Sequence, residues 1–183
     1  MISKEIEIKF EVKNENEIID KLKALGAEKT KEGFEHNSVF DNGELREKGI
    51  LLRLRKFGNK NTLTLKTGIT KGEFKEANEI EIEVSDFQRM KAVLESLGYG
   101  VSWVYEKKTT HFILNGTKIS LDRIPFGTYM EIEGTRKGIR DVIEKLGLDP
   151  EKGITKTYFE LYQDSCKEKE EEMKNLVFWR KSL

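Results

Sequence analysis

Apolar and polar residues alternate with a period of two at many points along this chain, and the polar partners are largely formal charges. Glu5-Ile6-Glu7-Ile8-Lys9-Phe10 places Glu5, Glu7 and Lys9 on one face of a strand and Ile6, Ile8 and Phe10 on the other. Leu52-Arg53-Leu54-Arg55 repeats the arrangement with cations, and Thr62-Leu63-Thr64-Leu65-Lys66 and Glu79-Ile80-Glu81-Ile82-Glu83-Val84 follow. Lys118-Ile119-Ser120-Leu121-Asp122 and Tyr129-Met130-Glu131-Ile132-Glu133 carry the same alternation later in the chain. Further strands are expected near Val39-Phe40 and over 104–114.

Three stretches switch to the three-and-four spacing of an amphipathic helix, at about residues 15–25, 86–97 and 137–146. Each follows a charged strand and ends in Leu-Gly, at Leu25-Gly26, Leu97-Gly98 and Leu146-Gly147, where glycine suits a left-handed cap. The strand-then-helix unit at Glu5 is repeated at Glu79, and Glu131 begins a third copy. The pattern predicts two related halves of antiparallel strands with helices on the apolar outer face, an α+β fold. A fourth helix is expected from near residue 155, carrying Tyr158, Leu161 and Tyr162. The run Lys167-Glu168-Lys169-Glu170-Glu171-Glu172 has the mixed charge of a solvated helix, and Asn175-Leu176-Val177-Phe178-Trp179 brings an apolar cluster after it. A solvated extension whose apolar end packs on the body is expected; a partner contact or a tunnel plug is the alternative.

With 183 residues the chain has the size of one domain, read here as 1–183 with 167–183 a charged extension. Thirty-three basic residues balance 33 acidic ones, so net charge points to no nucleic-acid or membrane partner. Charged residues are 36% of the chain, above the typical quarter, and that excess needs a location. One cysteine, Cys166, forms no internal disulfide, and no CxxC spacing exists. A cytoplasmic protein without signal peptide or membrane span is expected, as a monomer or homodimer.

An alternating charged face is ordinarily the water-facing side of a sheet, laced with cross-strand ion pairs. The density argues for a second arrangement. Glu5, Glu7, Lys9, Arg53, Arg55, Lys66, Glu79, Glu81, Glu83, Asp122, Glu131 and Glu133 all occupy alternating positions that a closed sheet would turn inward. A lumen with both signs calls for a ligand with both complements. A polyphosphate with a divalent cation meets that need, arginine and lysine taking phosphoryl oxygens and carboxylates holding the ion. Oxygen-only ligands favour magnesium or manganese over zinc.

Glu5-Ile6-Glu7-Ile8-Lys9 matches the ExExK signature of the CYTH superfamily, the triphosphate tunnel metalloenzymes, which include class IV adenylyl cyclases, thiamine triphosphatases and inorganic triphosphatases. The resemblance extends through Leu52-Arg53-Leu54-Arg55, Leu63-Thr64-Leu65-Lys66 and Glu79-Ile80-Glu81-Ile82-Glu83. It continues in Leu121-Asp122-Arg123-Ile124-Pro125-Phe126-Gly127 and Glu131-Ile132-Glu133, covering nearly the first 163 residues. It implies a closed antiparallel eight-stranded β-barrel with a charged lumen and helices outside. It further implies a metal-dependent enzyme acting on a small triphosphate, by hydrolysis or by cyclisation of ATP, with a non-catalytic binder as a third reading. By the same resemblance Lys9, Arg53, Arg55 and Lys66 correspond to triphosphate ligands, with Glu5, Glu7, Lys9 and Lys66 as catalytic residues. Glu5, Glu7, Asp122, Glu131 and Glu133 correspond to metal-binding and water-orienting acids, and Lys156 to a lysine brought to the tunnel by a C-terminal helix.

The chain departs from the family where Lys-x-Arg is usual: Glu106-Lys107-Lys108-Thr109 puts threonine at the arginine position. Lys107 or Lys108 supplies charge there without arginine's bidentate fork, and Arg123 is a candidate substitute. His36 and His111 have no metal or triad spacing and are assigned to surface or barrel-rim packing. No GxxxxGK[ST] loop exists.

Overall fold

The computed structural model describes residues 2–178. Eight strands close into one antiparallel barrel in the order β1-β5-β4-β3-β2-β6-β7-β8. They are β1 (Ser3–Glu11), β2 (Glu28–Asp41), β3 (Leu51–Phe57), β4 (Lys60–Lys71), β5 (Lys75–Val84), β6 (Gly100–Leu114), β7 (Thr117–Ile124) and β8 (Gly127–Glu133). Helices α1 (Glu15–Ala24), α2 (Phe87–Ser96) and α3 (Arg136–Leu146) follow β1, β5 and β8, as the repeated unit predicts, and α4 (Tyr158–Glu168) comes last.

Each helix starts at a polar cap. Asn14, Asp86 and Thr135 accept hydrogen bonds from the amides of Glu17, Arg89 and Gly138, and Thr157 forms a reciprocal capping box with Glu160. Gly147 ends α3 at φ 66°, a left-handed turn that a side chain would strain.

The outward-facing apolar residues of the strands form the core beneath the helices. Ile8, Phe10, Ile119, Leu121, Met130 and Ile132 pack against Ile18 and Leu22 of α1 and Ile139, Val142, Ile143 and Leu146 of α3. Phe40, Leu52, Leu54 and Val84 pack against Leu94 of α2. Burial of this outer layer drives closure, since each fully buried aliphatic or aromatic side chain contributes about 1.5–3 kcal/mol. It leaves the odd-numbered positions of β1, β3 and β8 facing the lumen.

The charged run after residue 166 is not helical throughout: α4 stops at Glu168, and Glu170 takes a left-handed conformation at φ 55°. The chain then runs back along β6, where β7 has not yet begun to pair. The Leu176 amide donates to the Val104 carbonyl at 2.8 Å, and the Glu106 amide donates to the Leu176 carbonyl at 2.8 Å. The Val104 amide donates to the Asn175 side chain at 2.9 Å, and the Trp103 indole N–H to the Lys174 carbonyl at 3.1 Å. Leu176 is buried, so the apolar end packs on the body as expected. Trp179 lies outside the described residues.

Candidate functional site

A cavity of about 630 Å³ runs inside the barrel. It is lined by Glu5, Glu7, Lys9, Arg53, Arg55, Lys66, Lys107, Glu131 and Glu133, nine of the residues singled out from sequence. The alternation of β1, β3, β4 and β8 therefore has its charged phase inside.

One side of the lumen is built by β1, β5 and β8, where antiparallel register sets Glu7 opposite Glu133 and Lys9 opposite Glu131. Two glutamates directly across a ladder repel one another. Lysines relieve that repulsion: Lys9 and Lys75 both reach Glu7, the latter at 2.8 Å, and Lys118 reaches Glu133 at 2.8 Å. Lys9 also lies 3.0 Å from Glu131, and Lys66 bridges Glu5 and Glu79. Burial opposes ionisation of Glu7, but Lys9 and Lys75 hold its carboxyl well below the usual range. Burial also opposes the charge on Lys9, and Glu131 and Glu7 more than reverse that, raising its pKa. Glu5 differs: burial dominates over its contact with Lys66, and its pKa is raised.

The facing wall comes from β2, β3 and β4. Arg53 donates to the Tyr105 hydroxyl at 3.2 Å and to Thr64 at 3.3 Å, while Arg55 donates through Nε to Asn37 Oδ1 at 3.1 Å. Four buried polar atoms on these strands have no hydrogen-bond partner: the donors Arg53 Nε, Asn37 Nδ2 and Thr62 Oγ1 and the acceptor Glu35 Oε2. A buried donor left unmade costs about 1–3 kcal/mol. Of the three donors, Arg53 lines the cavity, where its Nε–H can receive an acceptor oxygen.

Sequence reasoning missed several contributors. Glu35 is 1% exposed and lies 3.4 Å from Arg55 and 3.5 Å from Lys107. Burial opposes its charge, but Lys107, Arg55 and Arg53 lower its pKa to about 2. Its signal was present, because Glu35, Asn37 and Val39 share one phase of β2. His111, assigned to surface or rim packing, lies in the lumen against Ser120, and burial and Lys107 lower its pKa to about 4, so it is neutral at pH 7. Lys75 had no alternation to betray it, since Glu76 and Asn78 are polar as well.

Four of the sequence-derived positions are placed elsewhere. Lys108 faces outward on β6, its ammonium 5.3 Å from the Phe178 ring. Arg123 is also outside and pairs with Glu15. Lys156 precedes the α4 cap, points to solvent and pairs with Asp164 at 2.7 Å. The helix delivers Tyr158 to the tunnel instead. Asp122 is wholly buried and does not line the cavity: its Oδ2 accepts from Lys107 at 2.8 Å and from the Tyr158 hydroxyl at 2.7 Å. Burial and Asp122 hold the Tyr158 phenol well above its ordinary pKa. Thr109 sits on the inner face beside Lys107, with register partner Asp122 and a buried hydroxyl that has no partner. No arginine from the described residues replaces the missing fork at that spot.

Among the described residues, no three His, Cys, Asp or Glu side chains converge on one point as a ready cation cage. Magnesium is commonly held by only one or two carboxylates together with substrate phosphates, so the acids of β1 and β8 fit a hard cation in chemical type.

Comparison with known proteins places these features. A curated relative from Methanocaldococcus jannaschii, MJ0240, provisionally named an adenylate cyclase, is 25% identical over 173 residues, covering 86% of this chain and 97% of that protein. The solved structure of PH1012 from Pyrococcus horikoshii OT3 superposes with a TM-score of 0.75 at 32% identity, covering 86% of this chain and 98% of that one. HpAC1 from Hippeastrum, a provisional adenylyl cyclase described as having a dominant triphosphatase activity, shares the fold at TM-score 0.65 and 20% identity, covering 88% and 96% of the two chains. The CYTH domain family matches residues 3–158, which span all eight strands and the tunnel they enclose, and the chain belongs to that family.

Proposed function

We propose that this chain binds a triphosphate in its lumen and hydrolyses it with magnesium or manganese. One observation carries the reading: a single cavity presents Arg53, which keeps an unpartnered Nε–H, and Arg55 on one wall, and a strip of carboxylates on the β1–β8 side. A polyphosphate anion matches the first, and a hard cation matches the second. A divalent ion held there would supply charge neutralisation on the phosphoryl oxygens.

The chain's own groups do the rest. Arg53 and Arg55 grip phosphoryl oxygens, and Lys9 and Lys66 exchange a carboxylate for a phosphate oxygen when the anion enters. Lys66 then releases Glu5, whose burial keeps it more basic than an ordinary carboxylate. Glu5 orients a water molecule and takes its proton as the water oxygen bonds to the terminal phosphorus. The bond from that phosphorus to the bridging oxygen breaks, and the shorter phosphate leaves with its charge neutralised by the lysines. Positioning and electrostatics contribute most of the rate.

A second reading, cyclisation of ATP, is favoured by the name of the M. jannaschii relative. Incubation with ATP, tripolyphosphate or thiamine triphosphate plus magnesium or manganese distinguishes the two. Orthophosphate is the expected product. Pyrophosphate and cyclic AMP in equal amounts would replace hydrolysis with cyclisation, and tight binding without any product would leave a binder.

A further inference from the structure

We propose that Arg46 and Phe159 form a clamp for the flat ring of a nucleoside triphosphate with a neutral base, at the mouth of the tunnel. The proposal rests on the triphosphate reading above and narrows it to a substrate class.

The cavity is not lined by charge alone. Beside its charged residues, which include Asp41, Arg46, Lys71 and Glu160, it carries the apolar side chains of Val39, Ile50, Ile69, Trp103 and Phe159. A bare inorganic anion gains nothing from those apolar side chains. The volume of about 630 Å³ lies within the ~300–1,000 Å³ of sites that enclose organic ligands. A ligand that fills it needs a polyanionic end and a flat apolar end.

Phe159 is set for stacking. Its ring meets Trp103 edge-on, at 5.1 Å between centroids and 88° between planes, which fixes its orientation. Trp103 is itself stacked between Tyr105 and Tyr162, so it is a support and not the platform. The Arg46 guanidinium lies over the Phe159 ring, 4.4 Å from its centroid. Arg46 is exposed, belongs to the β2–β3 loop, and among the described residues no carboxylate pairs with its side chain. The face of Phe159 is thus covered by an exposed flat cation of the kind that also stacks on nucleobases. A neutral base enters between the two. A cationic ring, such as a thiazolium, meets an unneutralised arginine and is repelled.

The test is a calorimetric titration of the full chain with ATP, tripolyphosphate and thiamine triphosphate, calcium replacing magnesium to suppress turnover. Phe159→Ala is expected to weaken ATP about tenfold, the scale of one base–aromatic stack, with tripolyphosphate within about twofold. Phe159→Tyr should restore ATP affinity. Arg46→Ala, on an exposed loop, should weaken ATP and narrow the gap between ATP and thiamine triphosphate. Equal losses for ATP and tripolyphosphate in Phe159→Ala, or no loss in either variant, would overturn the clamp. Wild type that binds tripolyphosphate but not ATP would overturn the clamp and leave the triphosphate reading standing. Wild type that binds none of the three would overturn both.

Discussion

The β1–β5–β8 side of the tunnel and the β2–β3–β4 wall are both charged and both buried, yet they are satisfied in opposite ways. On the first, most inward acids have a lysine: Glu5 has Lys66, Glu7 has Lys9 and Lys75, Glu131 has Lys9, and Glu133 has Lys118. On the second, Arg53, Asn37 and Thr62 each keep a buried polar atom without a partner. A paired strip holds its own shape and releases a lysine only to a stronger anion. The Arg53 Nε–H has no partner to give up, so an anion meets it without first breaking an ion pair.

That contrast sets the order of the expected effects. The largest concerns the acids: Glu131→Gln with Glu133→Gln should cut turnover about a thousandfold or more at saturating cation, because several kcal/mol of transition-state stabilisation go with the charge. Near-normal rates in steady-state assays of that double variant would remove these residues from the ion's site.

Next comes the paired strip itself. Lys9→Met strips Glu7 and Glu131 of their shared cation and should destabilise the fold by about 3–5 kcal/mol, read from urea denaturation. Arg53→Ala provides the opposite case on the facing wall. It should lower tripolyphosphate affinity about tenfold to a hundredfold in calorimetry, while its urea midpoint moves far less than that of Lys9→Met. If both variants lose stability equally, the division between a shape-holding side and a ligand-receiving wall is wrong. Lys156→Ala, outside the tunnel, should leave affinity within about twofold.

A further effect is a pH dependence, confined to acid conditions. Glu35 is held at a pKa of about 2 against an ordinary 4.5, so the folded state favours its charged form. Its contribution is fully present above about pH 4.5 and is lost as pH falls towards 2, amounting to about 3 kcal/mol. Glu35→Gln should flatten acid unfolding in that window. An unchanged profile would mean that Arg55 and Lys107 do not hold Glu35 charged.

How far the sequence could be read follows from how each strand is buried. Where one face lies under a helix, as for β1, β3 and β8, strict alternation announced both the strand and its inward residues, and Glu5, Glu7, Lys9, Arg53, Arg55, Glu131 and Glu133 line the lumen. The first part of β2, Glu28-Lys29-Thr30-Lys31-Glu32, is exposed and polar on both faces, so nothing marked it as strand although it pairs with β6. Lys75 and Glu35 were missed for related reasons, one lacking apolar neighbours and the other sitting in a mixed stretch. Lys156 and Tyr158 show a different limit. They straddle the Thr157 cap, and only the direction in which α4 leaves the cap decides which side chain enters the barrel. Thr109 is buried, shares the phase of Lys107 on β6 and stands opposite Asp122 in the register.

The short stretch around Leu176 that runs along β6 has a consequence for handling the protein. Upstream of Lys108, β6 is hydrogen-bonded to β2 on one side only, and the other side is closed by residues 174–178. A chain cut at residue 158, where the CYTH match stops, would bare the peptide groups of Val104 and Glu106 beside the aromatic rings of Trp103 and Tyr105. Such a strip invites another molecule to add a strand, so the shortened protein should self-associate, visible as concentration-dependent light scattering that the full chain lacks.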